Sequence, residues 1–283
     1  MSRYALLAAL AGSLPALVLP VPARASDAAA ASATATAPEA PPVDEWRAAI
    51  GVLGGFRTEY PGSAKTAFKL SPGYYFHWRR LTITNAGGFA PRRREEVARG
   101  LGVDMLQSEH LRVGLSLRYD GGRTAASNAA FAGLGDIRAT LRARLNATWD
   151  VVGPWRLGAS WNFDALGRGD GGTGDISLSW ERRYGPDTRI QAGATLGLGD
   201  GSYMRKYYGI TPAQSSTSVY PAYAAAAGLR DAGIGVSLQH DISRAWVVLA
   251  SAHVSRMLGS AAGSPLTQRR DGWGAGGGLA WRF

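Results

Sequence analysis

Between Leu111 and Tyr119 every odd-numbered residue is apolar (Leu111, Val113, Leu115, Leu117, Tyr119), and every even-numbered one is polar or glycine (Arg112, Gly114, Ser116, Arg118). The same period of two returns along Ile137, Ala139, Leu141, Ala143, Leu145, Ala147 and Trp149, set against Arg138, Thr140, Arg142, Arg144, Asn146 and Thr148. It returns again from Trp155 to Phe163, from Ile190 to Leu198 and from Ile234 to Leu238. Successive strand side chains point to opposite faces, so each segment is predicted to be a strand with one apolar and one polar surface. A soluble β-sandwich also alternates, but two features weigh against it. Several segments run to ten residues or more, whereas globular strands cluster near ~5–6 residues and bilayer-crossing strands take ~9–11. Aromatics also sit at segment ends (Trp46, Trp149, Trp155, Tyr184, Trp246, Trp273, Trp281), where an interfacial girdle would place them.

Connection lengths sharpen this expectation. Strands are expected near 46–56, 68–78, 81–89, 97–106, 110–120, 136–149, 154–165, 173–183, 187–199, 229–241, 244–258 and 271–283. Gaps after the even-numbered strands are tight: Arg79-Arg80, Gln107 to Glu109, Asp150 to Gly153, Tyr184 to Pro186, and Ile242-Ser243. Gaps after the odd-numbered strands are longer, the longest being 200–228. Short turns on one side and long loops on the other is the asymmetry of a bacterial outer-membrane barrel with its long loops outside. The expected fold is therefore all-β, a transmembrane antiparallel β-barrel of about twelve strands with both termini in the periplasm; ten and fourteen strands remain alternatives. At the C-terminus Trp273, Ala275, Gly277, Leu279, Trp281 and Phe283 share one face, which resembles the terminal strand signal for outer-membrane insertion.

The N-terminal residues agree with export. Arg3 supplies a positive start, Tyr4 to Leu19 is mostly apolar, Pro20 and Pro22 break the run, and Ala23-Arg24-Ala25 has cleavage-site spacing. Residues 1–25 are thus expected to be a secretory signal peptide, because Gly12, Ser13 and Pro15 interrupt a run already short for a membrane span. Residues 26–45, mostly Ala, Ser, Thr and Pro, cannot bury a face and are expected to form a flexible periplasmic tail. The barrel is expected from 46 to 283. The absence of cysteine removes disulfides and thiol chemistry, and four histidines leave little material for a metal site. No catalytic residue, cofactor or metal is expected.

From Ser202 onward the chain resembles the MltA-interacting protein (MipA/OmpV) family. The resemblance is carried by Ser202-Tyr203-Met204-Arg205-Lys206-Tyr207-Tyr208-Gly209-Ile210-Thr211-Pro212-Ala213-Gln214-Ser215, and by Tyr223 to Gly233. Ser255-Arg256-Met257-Leu258-Gly259, Ser264-Pro265 and Leu279-Ala280-Trp281-Arg282-Phe283 add to it. Tyr60-Pro61-Gly62-Ser63 and Gly122-Arg123 extend it more loosely into the N-terminal half. Ala225 stands where the family pattern leads one to expect Asp. The resemblance implies a non-enzymatic outer-membrane barrel, a scaffold that links a lytic transglycosylase to a peptidoglycan synthase in cell-wall remodelling. Such contacts must lie on the periplasmic side, on the tail and the short turns.

Rival chemistries are weighed against this. The His253-Val254-Ser255 pair resembles the catalytic pair of an outer-membrane lipid A deacylase. Alternation, however, puts Trp246, Val248, Ala250, Ala252 and Val254 toward lipid, so His253 and Ser255 should face the lumen. A passive, anion-preferring channel is the stronger rival. Arg112, Arg118, Arg138, Arg142, Arg144 and Arg156 are expected to face inward with Asp164, Asp175, Glu181 and Arg183, and an arginine-lined lumen favours anions. Pairing of these charges, with loop 200–228 folded inward, would instead give a mostly plugged barrel. The formal net charge of +10 invites a nucleic-acid reading, yet the arginines alternate with apolar residues and do not cluster; no nucleic acid is expected. The one run, Arg92-Arg93-Arg94, precedes Glu95-Glu96 and reads as a solvated outer loop. Outer-membrane lipid is the remaining expected partner.

Overall fold

The computed structural model describes residues 46–85 and 100–283. The expected signal peptide, the tail and the Arg92–Arg94 run lie outside these residues. Twelve strands are present: β1 (Arg47–Thr58), β2 (Thr66–Trp78), β3 (Leu81–Thr84), β4 (Gly100–Gln107), β5 (Leu111–Asp120), β6 (Thr140–Val152), β7 (Trp155–Asp164), β8 (Thr173–Tyr184), β9 (Thr188–Gly199), β10 (Gly228–Asp241), β11 (Trp246–Met257) and β12 (Asp271–Arg282). Each pairs antiparallel with its sequence neighbour, and β12 pairs with β1 to close the barrel, with Val52 opposite Leu279 and Ala49 opposite Arg282. Closure gives every strand a neighbour on both sides, as a hydrocarbon environment demands, although among the described residues β3 covers only Tyr75–Trp78 of β2.

Outward positions are apolar and exposed, as lipid-facing side chains must be: Ile50, Val52 and Phe56 on β1, Leu115 and Leu117 on β5, and Ile234 and Val236 on β10. Trp46, Trp78, Trp149, Trp155, Tyr184, Trp246 and Trp281 gather at the short-turn end. Trp246 and Trp281, directly opposed in register, pack edge to face with centroids 4.9 Å apart. Rings with an apolar body and a polar tip settle at a membrane interface, so this belt marks the periplasmic boundary.

The other end is built differently. Residues 200–227 fold into α1 (Gly201–Tyr208) and α2 (Pro212–Thr217), and residues 258–270 carry α3 (Gly259–Ala262). Asp200 caps α1 by accepting from the Tyr203 amide at 2.8 Å. Thr211 and Gln214 form a reciprocal capping box around α2, with Pro212 in its first turn. These local signals let short helices form inside a loop, because the otherwise unpaired amides of the first turn are satisfied.

Candidate functional site

The helices and the neighbouring loops form a cap over the outer mouth. One apolar cluster joins Ala130, Phe131 and Leu134 from loop 121–139 to Ile210 and Leu266, with Tyr60, Tyr220 and Tyr223 packed around it. A second joins Met204 and Tyr208 of α1 to Ala225, Met257 and Ala261. Ala225 is buried in that cluster, so an Asp there would place a carboxylate among methionine and tyrosine side chains. The apolar residue at this departure from the family pattern is thus explained by packing.

Polar contacts tie the loops together. Gln214 Nε2 donates to the Leu134 carbonyl at 2.6 Å, and Thr217 Oγ1 donates to that of Gly133 at 2.7 Å. Gly133 has φ of 78°, and a Cβ there would lie 1.9 Å from the Thr217 carbonyl oxygen, so only glycine fits. Ser264 Oγ donates to the Tyr208 carbonyl at 2.6 Å, and Tyr223 OH donates to that of Ser260 at 2.8 Å. Asn128 Nδ2 reaches Glu59 Oε2 at 2.6 Å, which brings in the first loop.

Arg142 fastens this cap to the barrel wall. Its Nε donates to Asp120 Oδ2 at 2.8 Å, one Nη to the Gly171 carbonyl at 3.0 Å and the other to Tyr207 OH at 3.3 Å. Its guanidinium also lies 5.5 Å from the centre of the Tyr203 ring, which stacks on Tyr207. Only 3% of Arg142 is exposed. A charge so removed from water is retained because a carboxylate and several acceptors replace its hydration. Beside it Lys206 of α1 pairs with Asp170, a fully buried carboxylate on loop 165–172. Burial of α1 also raises its tyrosine hydroxyls: Tyr207 is pushed up to about 12, mainly by burial and then by the Asp120 charge, with Arg142 opposing. Tyr208 moves the same way for the same first reason.

Below the cap lies a lumen cavity of about 960 Å³. Toward the periplasm, alternating charges line its wall. Asp150 pairs with Arg112 at 3.1 Å and with Arg156 at 2.9 Å; Arg156 reaches Glu181 at 3.6 Å, and Glu181 reaches Arg189 at 3.5 Å. Arg282 Nη1 donates to Asp241 at 2.9 Å, next to an apolar cluster of Ala49, Tyr75, Val247 and Ala280.

Most inward positions expected from alternation are found inward. Arg112, Arg142, Arg144, Arg156, Asp164, Asp175 and Glu181 all lie on that register. Arg118 and Arg183 share the register but are exposed near opposite ends of the barrel, Arg118 at the outer end and Arg183 at the short-turn end. Arg138 is a correction: β6 begins at Thr140, so Arg138 belongs to the outer loop, exposed beside Asp136, Arg168 and Lys206. Arg230 is a residue that alternation missed. A bulge between Leu229 and Asp231 inserts it as an extra residue in β10 and turns it inward, where it pairs with Asp231 and, at 3.2 Å, with Asp175. His253 and Ser255 line the lumen, and Gly274, opposite His253, leaves the space its ring occupies, since a Cβ there would be 2.4 Å from Cε1.

The fold and its lumen define an outer-membrane β-barrel whose outer mouth is covered by its own loops. Residues 50–283 match the family model of MltA-interacting protein MipA, and the chain belongs to that family. Among solved structures it is similar to the NanC porin (TM-score 0.43, 9% identity, 82% of this chain and 98% of that one). It is also similar to OmpT of Vibrio cholerae (0.39, 8%, 85% and 97%) and to an anion-selective porin from Comamonas acidovorans (0.39, 7%, 85% and 99%). No curated protein matches the chain.

Proposed function

We propose that this barrel is a scaffold that holds a lytic transglycosylase, and with it a peptidoglycan synthase, against the inner face of the outer membrane. Its contribution is binding and positioning, with no catalysis of its own. Membership of the MipA family is the observation that carries this reading, since that family takes its name from interaction with MltA. On this reading residues 1–25 are an export signal removed on secretion, and residues 26–45 join the periplasmic surface.

The short-turn end supports the same reading by its charge. Arg79, Arg80, Arg182, Arg183 and Arg244 are exposed there, against the exposed carboxylates of Glu109 and Asp187. A rim with that balance attracts an acidic partner surface and speeds its encounter. The cap over the outer mouth favours a scaffold over a passive channel, because side chains from five loops (59–65, 121–139, 165–172, 200–227 and 258–270) pack across the opening.

The test is affinity capture of the mature barrel from detergent-solubilised envelopes, with and without residues 26–45. Co-purification of a murein hydrolase or synthase is expected. Its loss on truncation would put the contact on the tail, and its retention would put it on the rim. Capture of neither enzyme would refute the scaffold.

A further inference from the structure

The lumen cavity carries more cations than its carboxylates can neutralise. Asp175, Glu181 and Asp231 line it together with Arg156, Arg189 and Arg230, and these six are paired with one another or with Asp150. Three further cations line it as well: Arg57 on β1, Lys69 on β2 and Arg144 on β6. Among the described residues none of these three has a carboxylate within ion-pair distance, and Arg144 Nε is buried without an acceptor. An unpaired guanidinium donor costs on the order of 1–3 kcal/mol, so this surplus of cations favours an anion that enters the lumen and brings acceptors of its own.

Strand order sets the geometry. β6 stands five strands from β1 and four from β2 in a closed ring of twelve, so Arg144 projects from nearly the opposite wall to Arg57 and Lys69. The wall between them, through β8 to β12, carries the paired charges already named and, among them, small side chains or none: Ser177, Ser179, Gly193, Gly235, Ser251 and Gly276. The space they leave is polar, and its ~960 Å³ is of the size that holds a small organic ligand.

We propose that this chamber binds a small anionic solute bearing carboxylate or phosphate groups, held between Arg144 on one wall and Arg57 with Lys69 on the other. The fork of Arg144 takes two oxygens of one anionic group, the fit for which guanidinium is suited. Lys69 and Arg57 meet a second. The serine hydroxyls facing them serve as donors to the remaining oxygens. This site is independent of the docking proposed at the periplasmic rim, and either can fail without the other.

Calorimetric titration of the purified full barrel in detergent at low salt tests it. The probes are citrate and inorganic phosphate, with glucose as the neutral control. Citrate binding is expected, at least tenfold weaker in Arg144→Gln and in the double variant Arg57→Gln/Lys69→Gln, and unchanged in Arg256→Gln, whose ion pair lies outside the cavity. Arg144→Lys, which keeps the charge but not the fork, should recover only part of the affinity lost in Arg144→Gln. Should Arg144→Gln fail to fold, the double variant carries the test alone. Phosphate binding with the same sensitivities would support the site and assign it to inorganic anions. Citrate binding no tighter than glucose, or binding unaffected by the variants of the lumen cations, would overturn it.

Discussion

The two ends of this barrel meet different demands. At the periplasmic end the strands are joined by turns of two to four residues, such as Arg79-Arg80 and 242–245, and the lumen wall is held by ion pairs between neighbouring strands. At the outer end the loops build a small globular core of their own, with capped helices, two apolar clusters and a buried arginine that bolts them to β6. Turns of two residues need only join neighbours. A cap must recruit contacts between segments far apart in sequence, so its stability rests on a few deeply buried groups. The outer end is therefore expected to respond to single substitutions far more than the inner one.

The largest effect belongs to Arg142. Arg142→Ala leaves Asp120 partly buried without its partner, and breaking such a pair costs about 3–5 kcal/mol. Limited proteolysis should then cut loop 200–227 while the barrel keeps its heat-modifiable migration; an uncut loop would show that the cap does not depend on this bolt. Met204→Ala comes next, since Met204 is fully buried and its truncation leaves a cavity worth about 2–5 kcal/mol. Hydrogen exchange should quicken in α1 and in loop 258–270 and stay slow in β6 to β9.

Alkali offers a milder probe. Tyr207 is raised to about 12 in the folded cap, above the unfolded value near ~10, so folding favours its protonated form. That contribution is fully present below the unfolded value and is lost as pH rises toward 12. Phenolate absorbance should therefore appear late, together with loosening of the cap, while strand dichroism is unchanged. At the small end of the scale, Arg256→Ala breaks an exposed pair with Asp271 (63% and 57% exposed) and should cost under about 1 kcal/mol. An Arg256 effect as large as that of Arg142 would erase the distinction between buried and exposed pairs.

What the sequence made legible follows the same division. Alternation and connection lengths gave about twelve strands and the positions of the short turns to within a few residues, because a two-residue period and a tight connection are local properties. The inward His253 was readable for the same reason. Arg230 was not, because a bulge interrupts the period on which such a reading depends. Arg138 was misplaced by a boundary error of a few residues. The cage around Arg142 was beyond reach: Asp120, Gly171 and Tyr207 come from three different segments, and no spacing rule links them. The residues that carried the family resemblance, from Ser202 to Ser215 and around Tyr223 and Ser264, turn out to be the core of the cap.

The scaffold reading is tested most directly by measuring binding of a purified lytic transglycosylase to the mature barrel in nanodiscs, comparing the wild type with Arg79→Glu/Arg80→Glu. Docking at the periplasmic rim predicts saturable binding that weakens at least tenfold on charge reversal and falls with added salt. No binding to the wild-type barrel, with the cap and strands intact, would contradict it.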